Sequence, residues 1–363
     1  MLVANLLPLA WLSLATALPA LHDVENLPST SQTHTLERRQ RGTADVEAIV
    51  GPIGAFMGLM MPFADKLGID AKGDMTTTLC KTFANNDLTS KAVEAFAGSP
   101  NGKGPDEKCM KDLSGGSGPY KSKVFEDPTL ANHTIYTPEL PVPAGTKLPV
   151  VAWANGFCLP AGTMFENFLR ELASHGYIVI ANGKINHEGK LGATTRAPEL
   201  LKSITWIGKN PKVQGGYEAD LDKIVIAGQS CGGVNVYAAV NKDPRIKMAL
   251  MFNSGDFGGM SSALIKSIKV PVAYFEGGSK DFAGPAGLKD YKMLTTPALY
   301  ADAEIGHIGT YYQKYGGKLG KIGIRFLEWK LKGDEKAKAE FCSPANGFHS
   351  SLPSENAVQI VLT

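Results

Sequence analysis

Six short, largely apolar segments recur between residues 148 and 306, and each of them ends in a glycine. Continuous apolar segments of this kind are typical of strands in a parallel sheet that is covered on both faces. The stretches between them carry apolar residues three and four positions apart, as amphipathic helices do. The sequence therefore predicts an α/β fold, with a mostly parallel central sheet flanked by helices. The predicted strands lie within residues 148–156, 177–183, 223–228, 246–255, 270–278 and 298–306.

Helical spacing marks five stretches, and two segments ahead of the first strand have the composition of an antiparallel pair at the leading edge of the sheet. The helical stretches alternate with the strands, as a parallel sheet requires of its connections. The predicted helices lie within 162–176, 194–210, 231–243, 259–269 and 309–341, and the edge pair within 123–128 and 133–140.

The first 120 residues do not follow this alternation. Residues 1–17 are predicted to be a signal peptide, because an apolar stretch is followed by Ala15-Thr16-Ala17, although a buried N-terminal helix is the alternative. Residues 18–39 are polar and end in Arg38-Arg39, which resembles a dibasic processing site of secreted proproteins, so they are interpreted as a propeptide. Residues 40–120 are expected to form a helical extension, with a lipid-facing surface as the alternative. The α/β domain is then expected over 121–345 and a tail over 346–363.

Charge and cysteine usage narrow the class of protein. The 37 basic and 35 acidic residues leave a net charge of +2 without a long basic run, so neither nucleic acid nor an anionic membrane surface is implied as a partner. Five cysteines fit an oxidising compartment, and their spacing has no CxxC pattern that would indicate zinc. The sequon Asn132-His133-Thr134 becomes a glycosylation site only in a secreted chain. Together these features favour a secreted, extracellular protein. The chain is expected to be a monomer without a transmembrane span, and its sequence shows no motif for a metal or organic cofactor.

Ser230 is the first candidate for a catalytic role. It lies in Gly228-Gln229-Ser230-Cys231-Gly232, directly after a predicted strand and directly before a predicted helix. A strand-to-helix reversal this tight forces the serine into an unfavourable backbone conformation, and the flanking glycines let neighbouring backbone approach closely. This context favours a nucleophile over the alternative, an ordinary glycine-rich loop.

A serine nucleophile needs a base, and the base needs an acid that fixes its tautomer. With a serine in this type of turn, the acid and then the histidine follow along the chain. His307 follows the last predicted strand and is expected to open the final helix; His349 is the second choice, and His187 precedes the serine. A structural loop histidine is the alternative reading of His307.

Asp281 is the candidate acid, because it lies a few residues beyond the strand that ends near Glu276. Asp256 is an alternative after the preceding strand, and Glu276 itself lies too close to its strand. Ser-Lys-Asp is also ordinary turn composition, so a turn residue without a chemical role is the competing interpretation.

Two backbone N–H groups are expected to stabilise the oxyanion of a tetrahedral intermediate. One is that of Cys231, directly after the proposed nucleophile. The other is that of Phe157, in the loop after the first central strand, with Cys158 as the next candidate. An ordinary strand-to-helix turn is the alternative interpretation of this loop. Phe157, Trp153 and Phe282 are predicted to line the acyl side of a largely apolar substrate pocket.

In these residues the chain resembles the α/β-hydrolase superfamily over roughly residues 120–335, with a likeness to secreted fungal and bacterial polyester hydrolases, cutinase-like enzymes and dienelactone hydrolases. The resemblance implies a Ser-His-Asp triad of Ser230, His307 and Asp281. The family's oxyanion loop carries His-Gly-aromatic, whereas this chain has Asn155-Gly156-Phe157. Dienelactone hydrolases use a cysteine nucleophile, and here the cysteine falls one place after Ser230, which argues against transfer of their substrate.

The resemblance also places Cys158 and Cys231 beside the two oxyanion donors, and from this a disulfide between them is hypothesised. Cys80 would then pair with Cys109 and leave Cys342 over, while a pairing of Cys342 with an upstream cysteine stays open.

Taken together, the sequence predicts a secreted serine esterase that acts on small or polymeric esters. A serine peptidase, an acyltransferase and a non-catalytic secreted interaction protein on the same fold are the alternatives.

Overall fold

The computed structural model describes most of the chain beyond residue 114. The predicted signal peptide, the predicted propeptide and nearly all of the predicted helical extension lie outside the described residues, as do Cys80, Cys109, His187, Phe282 and His349. The described residues are 115–139, 142–143, 145–185, 195–213, 217–256, 262–278, 281, 283–303, 305–307, 310–342 and 358–362.

Within these residues, ten strands form one sheet, and helices cover it. The strands are β1 (Ser122–Phe125), β2 (His133–Pro138), β3 (Lys147–Ala154), β4 (Ile178–Asn182), β5 (Lys212–Val213), β6 (Tyr217–Gln229), β7 (Ile246–Phe252), β8 (Val272–Glu276), β9 (Ala298–Ala303) and β10 (Val358–Leu362). The helices are α1 (Glu166–Ser174), α2 (Ala197–Lys209), α3 (Cys231–Ala239), α4 (Ser262–Lys266), α5 (Gly284–Tyr291), α6 (Gly317–Lys332) and α7 (Glu335–Cys342). Short 3-10 turns lie at Gly156–Cys158 and Lys314–Gly316.

The sheet is parallel through its centre and antiparallel at both edges. Its order is β1-β2-β4-β3-β6-β7-β8-β9-β10, with β5 paired to β6. Neighbours from β4 to β9 run parallel, whereas β1–β2, β2–β4 and β9–β10 are antiparallel. This is the α/β-hydrolase type of architecture, so the predicted fold class is confirmed.

The chain reverses its direction of winding between β3 and β6. After β3 it adds β4 on one side, returns to place β6 on the other side, and then continues outward from β7 to β9. In open α/β sheets, functional groups collect at such a switch point, beyond the carboxyl ends of the strands. Ala154, the last residue of β3, pairs with Gly228 near the end of β6, so the loop after β3 and Ser230 lie side by side.

Both faces of the central strands are buried, which explains why the strand sequences are continuously apolar. In β6, Ile224 and Ile226 face the core beneath α2 and α3, whereas Val225 and Ala227 face the core beneath α1 and α6. Helix α3 is buried along its whole length, and this anchors the residues that follow Ser230.

The final helical region differs from the prediction. His307 does not open a helix, because Tyr315, Gly316 and Gly317 all have positive φ and delay the start of α6 to Gly317. The region is also divided into α6 and α7 at Gly333, whose φ is +70°. Asp334 then accepts hydrogen bonds from the first backbone N–H groups of α7.

Three elements were not predicted from the sequence, and the shortest of them is β5, which pairs with β6. Residues 358–362 lie in the predicted tail but form β10, which pairs with β9 at the edge of the sheet. Helix α5 follows Asp281 and is too short and glycine-rich for a clear helical period. None of the helices in the described part of the chain is long and apolar enough to cross a membrane.

Candidate active site

Ser230 lies in the sharp turn between β6 and α3, with φ of 53° and ψ of −121°. A non-glycine residue rarely adopts a positive φ, so the surrounding structure must hold it there. A Cβ on Gly228 would lie 2.4 Å from the backbone of Gly232, and one on Gly232 would lie 2.1 Å from the oxygen of Ala154. The glycines on both sides of Ser230 are therefore required by close backbone approach, as the sequence predicted.

Hydrogen bonds at both the N–H and the carbonyl of Ser230 fix the backbone of this turn. Ser230 N–H donates to the oxygen of Phe252 at 3.0 Å. The Ser230 carbonyl accepts from Gly233 N–H and from Ser254 Oγ, both at 2.8 Å. The end of β7 thus supports the turn that carries the serine.

His307 connects Ser230 with Asp281. Its Nε2 lies 2.9 Å from Ser230 Oγ, and its Nδ1 lies 2.7 Å from Asp281 Oδ1. Because the carboxylate can only accept, Nδ1 carries the proton and Nε2 is left to accept from the serine hydroxyl. The structure therefore brings the three predicted residues together. All three are buried: Ser230 is 8% exposed, His307 1% and Asp281 2%.

Both oxygens of Asp281 are fully hydrogen-bonded. Oδ1 accepts from His307 and from Ala283 N–H, and Oδ2 accepts from Asn253 Nδ2 at 2.7 Å and Gly277 N–H at 2.8 Å. Burial opposes the charge, but the hydrogen bonds from His307, Asn253 and Ala283 outweigh it and hold the pKa of Asp281 below its ordinary value. Asp281 is therefore an anion at neutral pH, as an acid that orients a histidine must be.

The other two carboxylates considered from the sequence have different environments. Glu276, at the end of β8, is 1% exposed, and its Oε1 accepts from Ser254 N–H at 3.3 Å. Burial, together with the nearby charge of Asp281, raises the pKa of Glu276 well above its ordinary value. Asp256 is only partly buried, and its backbone N–H donates to Asp290. Of the three carboxylates, Asp281 accepts the hydrogen bond from His307 Nδ1.

Asn155 closes the loop after β3. Its Nδ2 donates to the oxygens of Asn182 and Ala161 at 2.7 and 2.8 Å, and its Oδ1 accepts from Trp153 Nε1 at 2.9 Å. This loop contains the 3-10 turn with the backbone of Phe157, whose N–H was predicted as an oxyanion donor. The Asn155 side chain thus ties the loop to β4 through its hydrogen bond to Asn182.

Trp153 is one of the three residues predicted to line the acyl side of a substrate pocket. Its side chain is completely buried in the core, where it packs against Phe165, Phe168 and Phe252. Its indole N–H donates to Asn155, and this packing gives no support for contact with substrate. The side chain of Phe157 and all of Phe282 lie outside the described part of the structure.

A disulfide joins Cys158 to Cys231, the pairing hypothesised from the sequence. It connects the last residue of the 3-10 turn with the first residue of α3. The two segments whose backbones carry the predicted oxyanion donors are therefore linked covalently. Cys342 is a free, exposed thiol.

Sequence reasoning missed two buried amide residues at the site. Asn253 follows β7 and contacts Asp281, and Gln229 precedes Ser230 and donates to the carbonyl of His307 at 3.0 Å. Their position at the carboxyl ends of strands is the signal that would have found them. Asn132 of the sequon is exposed on the turn before β2. Within the described residues, no group of three or more His, Cys, Asp or Glu side chains is arranged to hold a metal ion.

Comparison with known proteins places the chain near one family. A model of the chlorophyllase family matches residues 127–254, about a third of the chain. The matched part contains the loop after β3 and Ser230, and it ends before Asp281 and His307. No curated protein sequence matches the chain. The family match supports an ester-hydrolysing α/β hydrolase in general, and it does not confirm the more specific likeness to cutinases or dienelactone hydrolases.

Proposed function

We propose that this protein is a secreted serine hydrolase that cleaves carboxylic esters. The observation that carries the proposal is the continuous hydrogen-bonded series from Ser230 Oγ through His307 to Asp281, at 2.9 and 2.7 Å, on a strained strand-to-helix turn. Hydrolysis by a serine nucleophile needs a base within hydrogen-bond distance of the serine and an acid that orients the base. The match to the chlorophyllase family adds independent support for ester hydrolysis.

In the first step, Ser230 Oγ attacks the ester carbonyl carbon and His307 Nε2 accepts the serine proton. The charge of Asp281 stabilises the resulting imidazolium and keeps its orientation. Because Asp281 already accepts hydrogen bonds at both oxygens, it stays ionised and the proton remains on the histidine.

The carbonyl oxygen becomes an anion in the tetrahedral intermediate. Cys231 is the first residue of α3, so its N–H has no acceptor within the helix and lies at the positive end of the helix dipole. Phe157 N–H, in the turn held by Asn155 and the disulfide, is the second proposed donor. A preformed pair of donors stabilises the intermediate without reorganisation.

The intermediate collapses when His307 returns its proton to the leaving alcohol, and an acyl-enzyme on Ser230 remains. Water, deprotonated by His307, then attacks the acyl carbonyl and releases the carboxylic acid and free Ser230. No cofactor takes part in this sequence. Phe157 and Phe282 are proposed to contact the acyl group, and the substrate is a small or polymeric ester.

Secretion is part of the proposal. It rests on the apolar segment before Ala15-Thr16-Ala17, on the dibasic pair Arg38-Arg39 and on the disulfide between Cys158 and Cys231. Disulfides form and persist in oxidising compartments.

Hydrolysis of p-nitrophenyl esters of increasing acyl length tests the activity. Ser230→Ala is expected to lower kcat by at least ~10³-fold, because the nucleophile is lost while the fold is kept. Ser267→Ala is the matched control, since this exposed serine lies after α4, away from the site, and full activity is expected. Unchanged hydrolysis by Ser230→Ala would exclude the mechanism, and parallel assays with amide substrates and added alcohols would identify a peptidase or an acyltransferase.

A further inference from the structure

Asn253 makes an unusual set of contacts for a residue in a loop. It follows β7, is completely buried and has a positive φ of 46°. Its backbone N–H donates to the oxygen of Phe275 at 2.8 Å, which holds its main chain against β8. The side chain therefore projects from a fixed backbone position.

The Asn253 amide contacts three residues in two segments that are distant from it in sequence. Nδ2 donates to Asp281 Oδ2 at 2.7 Å and to the oxygen of Gly306 at 3.1 Å. Oδ1 accepts a hydrogen bond from the hydroxyl of Tyr311. One side chain thus joins the loop that carries Asp281 to the loop that carries His307.

We propose that Asn253 is a positioning residue, which sets the geometry of the Asp281–His307 pair by holding Asp281 Oδ2 and the carbonyl next to His307 on one amide group. This inference rests on the proposed function of the triad.

An asparagine side chain suits this position for two physical reasons. Its amide offers two N–H donors and one acceptor, and here it faces two acceptors, Asp281 and Gly306, and one donor, Tyr311. Asparagine also adopts positive φ more readily than most non-glycine residues. An apolar side chain would take one hydrogen bond away from each of these buried partners, which is costly in the interior.

The next residue extends the same support to the nucleophile. Ser254 Oγ donates to the carbonyl of Ser230 at 2.8 Å. Two consecutive residues after β7 therefore support both ends of the triad: Asn253 contacts Asp281 and the Gly306 carbonyl next to His307, and Ser254 contacts Ser230. Residues at the end of β7 thus hydrogen-bond to the loops that follow β6, β8 and β9, and these loops carry Ser230, Asp281 and His307.

The consequence for catalysis is specific. Without Asn253, Asp281 Oδ2 keeps only the hydrogen bond from Gly277 N–H, and the Gly306 carbonyl loses its side-chain partner. The imidazole then samples orientations in which Nε2 points away from Ser230 Oγ. Substrate binding does not use Asn253, so the loss is expected in kcat and not in KM.

The test compares Asn253→Ala with wild type, with Asn241→Ala as the matched control. Asn241 is exposed after α3, and its Nδ2 donates to the oxygen of Ser267, away from the site. For Asn253→Ala we expect kcat to fall by about 10- to 100-fold with KM within about twofold, and for Asn241→Ala no change. Thermal melting checks that each variant is folded.

A second readout does not depend on activity. The proton shared by His307 Nδ1 and Asp281 gives a far-downfield NMR signal, which is expected to shift or broaden in Asn253→Ala and to persist in Asn241→Ala. A folded Asn253→Ala variant with wild-type kcat and an unchanged signal would overturn the inference.

If Asn253→Ala does not fold, Tyr311→Phe takes its place. It removes only the hydroxyl that donates to Asn253 Oδ1 and leaves the ring in the core. We expect a several-fold lower kcat and a shifted proton signal, and unchanged values for both would reject the role of Asn253. Ser230→Ala separates this inference from the proposed function. Full activity in Ser230→Ala excludes the proposed function. Loss of activity in Ser230→Ala, together with a normal kcat and a normal proton signal in Asn253→Ala, excludes only the positioning role.

Discussion

Gln229 Nε2 donates a hydrogen bond to the carbonyl oxygen of His307 at 3.0 Å, so the residue before the serine holds the backbone of the histidine. The other amide atom, Oε1, is buried and has no hydrogen-bond partner among the residues that the structure describes. It lies beside Gly156, where an added Cβ would be only 1.9 Å away. Gln229 therefore lies between the histidine loop and the loop that carries the proposed oxyanion donor.

Gly156→Ala is expected to lower kcat through Gln229. The new Cβ displaces the Gln229 amide, which then loses its hydrogen bond to His307. We expect Gln229→Ala to lower kcat by about 10-fold and Gly156→Ala to lose little further activity in that background. A double-mutant cycle measures this coupling. If the effects of the two substitutions on kcat simply add in the double variant, Gly156→Ala does not act through the Gln229 amide.

Glu276→Gln is expected to stabilise the protein at neutral pH and to keep activity within about twofold. Burial raises the pKa of Glu276, so folding requires a proton that the unfolded chain releases above the ordinary value of 4.5. This cost grows as the pH rises above that value and is absent below it. Glutamine removes the cost and keeps an acceptor for Ser254 N–H.

Urea unfolding at pH 4 and pH 7 checks the prediction for Glu276. The difference in free energy of unfolding between Glu276→Gln and wild type should be small at pH 4 and favour the variant at pH 7. A variant that is less stable at pH 7 would show that Glu276 is ionised in the folded state.

Loss of the disulfide is expected to destabilise the chain and to weaken the oxyanion site. The bond closes a sequence separation of 73 residues, and removal of such a cross-link typically costs about 2–4 kcal/mol. We expect the double variant Cys158→Ala/Cys231→Ala to melt at lower temperature and to have a lower kcat. Cys342→Ala is the control, because its thiol is free and exposed. Equal melting temperatures for all three proteins would contradict this prediction.

His175 makes stability depend on pH in the alkaline range. Burial opposes its charge, but hydrogen bonds to Glu171 and Glu328 outweigh it and raise the pKa of His175 to about 9. A raised pKa contributes stability that is complete below the ordinary value of 6.5 and is lost as the pH rises to about 9. His175 lies at the end of α1 and contacts α6 through Glu328, so these helices should loosen together.

Chemical unfolding between pH 6 and pH 10 measures this effect. His175→Gln should be less stable than wild type at pH 6, and the difference should shrink by pH 10. A difference that does not change with pH would show that the charge of His175 contributes nothing.

The predicted strands and helices agree with the structure where periodicity is strong. Segment 177–183 contains β4, and 246–255 contains β7, because buried parallel strands need continuous apolar residues. Prediction failed where local pattern is weak: α5 has eight residues with two glycines, and β10 is recognisable only by its pairing with β9. The prediction that a helix starts at His307 is wrong, because the helix begins only after Tyr315 and Gly316, which both have positive φ. Whether a residue such as Tyr315 adopts a positive φ depends on local packing.

The sequence by itself determined the class of fold and proposed the triad, because hydrophobic periodicity and the order of motifs along the chain are local properties. Ser230, Asp281 and His307 lie within hydrogen-bond distance as that order predicted. Only the tertiary structure decided what the buried polar groups near them do. Asn253 reaches Asp281 across 28 positions of sequence, and Gln229 reaches His307 across 78. The partner of a buried amide depends on which strand ends the sheet brings together, and no local pattern records that.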